Sequence, residues 1–133
     1  MPHGFLNTAA LLRLVLAVTA IFILACALAP LASRMPFASY WDKLDHAAAF
    51  AALAFLSALA FPVLRARVIA PILLAFGVAI EILQLIPSLN RSAEFGDLFA
   101  DVAGIAIGFA CINLFRIAAG WMRPGFVLPA ARW

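Results

Sequence analysis

The densest chemistry in this sequence is the run Asp42-Lys43-Leu44-Asp45-His46. Asp42 and His46 are four apart, the spacing that places two side chains on one face of a helix. A carboxylate beside an imidazole can orient it and share its charge. Farther along, Glu81 and Gln84 are three apart, and Asp97 and Asp101 are four apart. Arg91 lies between those two pairs. Lys43, Arg91 and a protonated His46 could hold a phosphate or carboxylate by charge-assisted hydrogen bonds. Glu81, Asp97 and Asp101 would then position the cations and accept bonds from polar ligand groups. The same residue types allow acid–base work, with His46 as acid, base or nucleophile and Asp42 or Glu81 orienting it. His46 has carboxylates for company but no HExxH or other linear ligand spacing, so no metal and no cofactor is expected.

The elements that must position these residues are set by composition. Of 133 residues, 68% are apolar and 11% are charged, with a mean hydropathy of +1.13. An ordinary soluble domain carries about 25% charge. A soluble enzyme, a disordered tail and a nucleic-acid binder are thereby excluded. The net charge of +3 comes from thinly spread basic residues without a Lys/Arg run. Cys26 and Cys111 sit in apolar stretches, where a free cysteine behaves as a small hydrophobe.

A hydrocarbon core of about 30 Å needs roughly 20 residues of helix. Four stretches meet this length or approach it: 9–29, 44–64, 68–86 and 98–115. Backbone groups in lipid must pair within their own segment, so these read as helices. The expected fold is all-α, a bundle of four transmembrane helices in one domain (1–133), with a short tail over 116–133. Arg65-Ala66-Arg67 makes a tight turn between spans two and three. Pro30 and Pro36 break the first connection, Pro87, Ser88 and Asn90 the third, and Pro124, Gly125 and Pro129 end any helix in the tail. Ala27-Leu28-Ala29 resembles a cleavage site after a signal peptide, but Pro30 is a poor residue to follow one.

Positive residues favour the cytoplasmic side. With the N-terminus inside, that side receives Arg13, Arg65, Arg67, Arg116, Arg123 and Arg132, and the other receives Arg34, Lys43 and Arg91. Both termini are therefore expected in the cytoplasm. All six acidic residues then fall on the outer half: Asp42, Asp45, Glu81, Glu94, Asp97 and Asp101. Glu81 lies about 8 Å inside its span by helical rise. An unpaired ion there costs at least about 2.5–3.5 kcal/mol. Gly104 and Gly108 continue the Asp97/Asp101 stripe as a GxxxG motif, which lets a neighbouring helix approach closely. That turns the two carboxylates inward.

In order, Asp42-Lys43-Leu44-Asp45-His46, Glu81-Ile82-Leu83-Gln84, Arg91 and Asp97-Leu98-Phe99-Ala100-Asp101-Val102-Ala103-Gly104 with Gly108 resemble the VanZ-like family of small bacterial membrane proteins. The likeness covers about Trp41 to Gly108. One position departs: the family often carries Asn where this chain has Asp101. An amide donates and accepts, whereas an ionised carboxylate only accepts. The family takes its name from a member linked to teicoplanin resistance. The resemblance implies a cell-envelope protein of the bacterial cytoplasmic membrane, working near lipid-linked wall precursors or the outer leaflet.

The leading expectation is a non-enzymatic protein whose outer pocket, built from Asp42, Lys43, His46, Glu81, Gln84, Arg91, Asp97 and Asp101, binds an anionic envelope or lipid-linked ligand. Membrane lipids and a second copy of the chain are its other candidate partners, and nucleic acid is not. The alternatives are an enzyme acting on a lipid or wall-precursor headgroup, a small transporter, and a purely structural ion-pair cluster. His46, Glu81, Arg91 and Asp97 are expected to converge in one pocket. Reporter fusions after Arg67 and Trp133 should report cytoplasm, and a fusion at Asn90 should report the exterior. A cytoplasmic Asn90 would put the polar face on the wrong side of the membrane.

Overall fold

The computed structural model describes residues 7–29, 38–89 and 94–121. They form α1 (Thr8–Leu28), α2 (Ala38–Ala60), α3 (Ala66–Gln84) and α4 (Phe95–Trp121), with a short 3-10 turn at Pro87–Leu89. There is no strand among the described residues. Each α-helix holds a stretch long and apolar enough to cross a membrane. The fold is an all-α bundle of four such helices.

The helix ends differ from the sequence expectation for physical reasons. α2 starts at Ala38 rather than at residue 44. Within the polar run 42–46, Lys43 and His46 find partners on α4 or immediately before it, which supports a helix there. α2 stops at Ala60, short of residue 64, because Pro62 biases Phe61 away from helical geometry. The turn is therefore Phe61–Arg65. Ala66 and Arg67, expected in the connection, already belong to α3. α3 ends at Gln84 rather than 86, and its last turn tightens through Leu85 N–H to the Ile82 carbonyl and Ile86 N–H to that of Leu83. α4 begins at Phe95 and runs to Trp121, so residues 116–121, assigned to the tail, are helical. Pro30, Pro36, Asn90, Pro124, Gly125 and Pro129 lie outside the described residues.

α1 opens with Asn7, whose side-chain oxygen accepts the Ala9 N–H at 3.2 Å and satisfies one orphan donor of the first turn. None of its residues is fully buried. Val18 and Ile21 point outward, as suits a helix solvated by lipid on most of its face. Its inner side, Leu16, Ala20, Ile23, Leu24 and Ala27, rests on a core of Phe50, Leu53, Ala54, Ile69, Leu73, Ile80 and Ile105.

α2 packs most extensively against α4. The buried stripe of α4 is Asp97, Asp101, Gly104, Ile105, Gly108 and Ile112. Gly104 lies against the Ala47 carbonyl, and Gly108 against the Ala51 carbonyl and the Ala54 methyl. At the far end, Arg116 Nη2 donates to the Ala58 carbonyl at 3.0 Å. The Arg13 guanidinium sits 5.0 Å above the Phe61 ring, within cation–π range.

A Cβ at Gly104 or Gly108 would strike α2 backbone, which cannot swing aside as a side chain can. Gly104→Ala and Gly108→Ala should each lower stability by about 1–3 kcal/mol. Ala106→Leu, on the exposed face, should leave it unchanged. Detergent-unfolding titrations of the purified variants measure this, and equal stability of all three would remove the packing argument.

Candidate functional site

The first turns of α2 and α4 and the last turns of α3 bring the polar residues together. Glu94 immediately precedes α4, and its carbonyl accepts the Asp97 N–H at 3.0 Å. Lys43 reaches across from α2 and bridges Glu94 Oε2 at 2.8 Å and Asp97 Oδ1 at 3.1 Å. Glu94 is exposed, whereas Asp97 is 1% exposed. The Lys43–Asp97 arm is therefore shielded on one side, where water screens the interaction less.

One turn deeper, His46 Nδ1 lies 2.8 Å from Asp101 Oδ1, with Asp101 fully enclosed. The His46 ring is nearly parallel to Phe50, at 5° and 6.5 Å between centroids. Asp101 and Phe50 thus fix the imidazole from two directions. The second oxygen of Asp101 has no hydrogen-bond partner among the described residues and faces Gly77 of α3. A Cβ on Gly77 would occupy the place of that oxygen.

Glu81 comes from α3 and is 7% exposed. Its Oε2 accepts the Glu94 N–H at 3.0 Å, while Oε1 has no partner among the described residues. Gln84 does something else. Its side-chain N–H donates to the Ala27 carbonyl at 3.0 Å, satisfying one of the orphan acceptors at the end of α1.

Asp42 is half-buried and Asp45 exposed. With His46 they border an open cleft of about 300 Å³ whose other walls include Phe22 and Ile23 of α1 and Ile80 of α3. Asp42, His46 and Asp97 each present one atom of a metal-ligating kind, and these three atoms lie within 4.8 Å of one another.

Of the residues selected from sequence, His46, Glu81, Asp97 and Asp101 share one buried cluster, with Lys43 and Asp42 at its edge. Gln84 is turned to α1 instead. Arg91 lies outside the described residues. Two contributors were not selected: Glu94, which joins Lys43 to Glu81, and Gly77, which makes room for Asp101. The three-residue spacing of Glu94 from Asp97 is a signal that could have found the first. Nothing in the linear pattern marks the second.

Asp101→Asn should cost at most about 1 kcal/mol. The amide oxygen can still accept from Nδ1, and His46 can give up its proton rather than remain an unpaired ion. Gly77→Ala should be the more damaging change, because it displaces the carboxylate that orients His46. Thermal unfolding of both variants in one detergent decides the order, and a reversed ranking would contradict this reading of the cluster.

Comparison with known proteins follows the same lines. No curated protein and no solved structure matches the chain. A family model described as VanZ/LLP1 matches residues 14–116, a segment that enters all four helices and contains every residue of the polar cluster. By that match over most of its length, this membrane protein belongs to the VanZ/LLP1 family.

Proposed function

We propose that the chain is a multi-pass protein of the bacterial cytoplasmic membrane, with both termini in the cytoplasm, that binds the headgroup of an anionic or lipid-linked envelope molecule in the outer half of its bundle. The observation that carries this reading is the pairing of a buried polar cluster with an adjoining apolar-walled cleft. His46 belongs to both, and Phe22, Ile23 and Ile80 supply apolar wall. A site polar at one end and apolar along its side suits an amphiphile entering from the bilayer. Lys43 is the described cation for an anionic headgroup, and a phosphate there competes with Glu94 and Asp97 for it. If the ligand is a wall precursor, an altered susceptibility to glycopeptide antibiotics follows from sequestering it.

A second reading, catalysis on the same headgroup, draws on one geometric fact. Asp101 holds His46 by Nδ1, which leaves Nε2 as the ring nitrogen for acid–base work.

Native mass spectrometry of the purified chain with its co-purifying lipids tests the proposal. The wild type should retain a phosphorylated lipid. Arg91→Lys keeps the charge but loses the planar fork, so it should weaken retention by about tenfold while leaving the folded amount intact. Loss of folded protein in proportion to lipid would favour the purely structural cluster. Turnover of added headgroup analogues would favour the enzyme.

A further inference from the structure

We propose that Asp42, His46 and Asp97 form a binding site for a divalent metal cation of the zinc or manganese kind, with Asp101 holding the imidazole from behind. Asp42 and His46 are one helical turn apart on α2, and α4 brings Asp97 to the same point. The three ligand atoms lie within 4.8 Å of one another. Bonds of about 2.0–2.2 Å place ligands around one ion roughly 3–4 Å apart. Closing that gap requires the half-buried Asp42 to exchange its present contact for the ion.

The imidazole is set up for the task. Asp101, fully enclosed, lies 2.8 Å from Nδ1. It keeps the proton on that nitrogen and leaves Nε2 as a basic ligand, the arrangement in which a carboxylate orients a metal-bound histidine. Two carboxylates and one imidazole are donors that zinc and manganese both accept.

A separate observation points to a cation at this place. Glu81 is 7% exposed and its Oε1 has no partner among the described residues, while its Oε2 accepts from the N–H of Glu94, whose carboxylate shares Lys43 with Asp97. A hydrated ion held by Asp42, His46 and Asp97 supplies both the missing positive charge and a water to donate to Oε1. Lys43 is the competitor, since its ammonium bonds Asp97 Oδ1 at 3.1 Å. Its other partner, Glu94 at 2.8 Å, retains it when the ion takes Asp97.

Three protein ligands leave open coordination positions. Asp42 and His46 also border the cleft, so those positions adjoin it. The ion thus lets an acid-rich pocket accept a phosphate oxygen. This bridging role rests on the headgroup-binding proposal; the metal site itself does not.

The test uses the full chain in phosphatidylcholine nanodiscs, stripped of metal with a chelator and titrated with Mn²⁺ under electron paramagnetic resonance. The wild type should bind one Mn²⁺ with nitrogen coupling from a single imidazole. His46→Ala should abolish that coupling, and Asp42→Asn and Asp97→Asn should each weaken binding by about tenfold to a hundredfold. His3→Ala should bind as the wild type does. Asp42→Asn, at a half-buried position, keeps the test decisive where a buried variant fails to fold. Wild-type binding weaker than about 1 mM overturns the site. So does nitrogen coupling that survives His46→Ala, or coupling that disappears in His3→Ala. Lipid retention unchanged after metal removal overturns the bridging role alone. Metal binding without a retained lipid overturns headgroup binding and leaves the metal site standing.

Discussion

The close approach of α2 and α4 is the constraint on which the remaining structure depends. Lipid supplies no hydrophobic force to drive helices together, so association rests on packing and on interhelical polar contacts. One stripe of α4 supplies both. Asp97 and Asp101 lead into Gly104 and Gly108, and the glycines bring the α4 backbone against the carbonyls of Ala47 and Ala51. At that separation Asp101 reaches His46 and Asp97 reaches Lys43. A wider crossing would leave the same carboxylates facing hydrocarbon, where each ion is costly. The seam that holds the bundle is therefore also the seam that builds the polar cluster.

The two ends of the bundle use charge in different ways. At one end, side chains from α2, α3 and α4 meet each other, and carboxylates are the majority. At the other, Arg116 donates to a backbone carbonyl and Arg13 lies on an aromatic face. Those arginines brace helices through a backbone carbonyl and a ring face. The carboxylates and His46, by contrast, border open space and keep oxygen atoms without partners among the described residues. That end combines ionisable groups with room for a ligand. Gln84 adds to its definition by tying α3 to the end of α1, the helix that walls the cleft.

The four helices were legible because apolar length is a property of a continuous segment. The inward turn of Asp97 and Asp101 was legible because their spacing continues into Gly104 and Gly108 on one helix face. What a linear pattern does not contain is the partner on the next helix. Glu94 read as a connecting residue, yet it accepts from Lys43 and its backbone N–H serves Glu81. Gly77 carries no motif, yet its missing side chain is the space that Asp101 occupies. The start of α2 was placed too late for the same reason. Polar residues 42–46 look like the flank of a span until α4 is there to satisfy them. In the triad of Asp42, His46 and Asp97, the Asp42/His46 spacing is visible in the sequence, but Asp97 joins them from another helix.

Charge balance links these points to function. Among the described residues, Lys43 shares the polar end with six carboxylates, Asp42, Asp45, Glu81, Glu94, Asp97 and Asp101. An anionic ligand entering such a region meets net repulsion unless positive charge is added or carboxylates take up protons. Lys43 cannot serve a ligand without cost, since two carboxylates already hold it. Asp101 deepens the imbalance at the position that holds His46. A carboxylate on Nδ1 raises the basicity of the opposite ring nitrogen more than an amide does. That nitrogen is then better suited to a cation than to an anion. A pocket of this composition receives a phosphate most readily when a divalent ion stands between the two, so the excess of carboxylates and an anionic ligand become compatible.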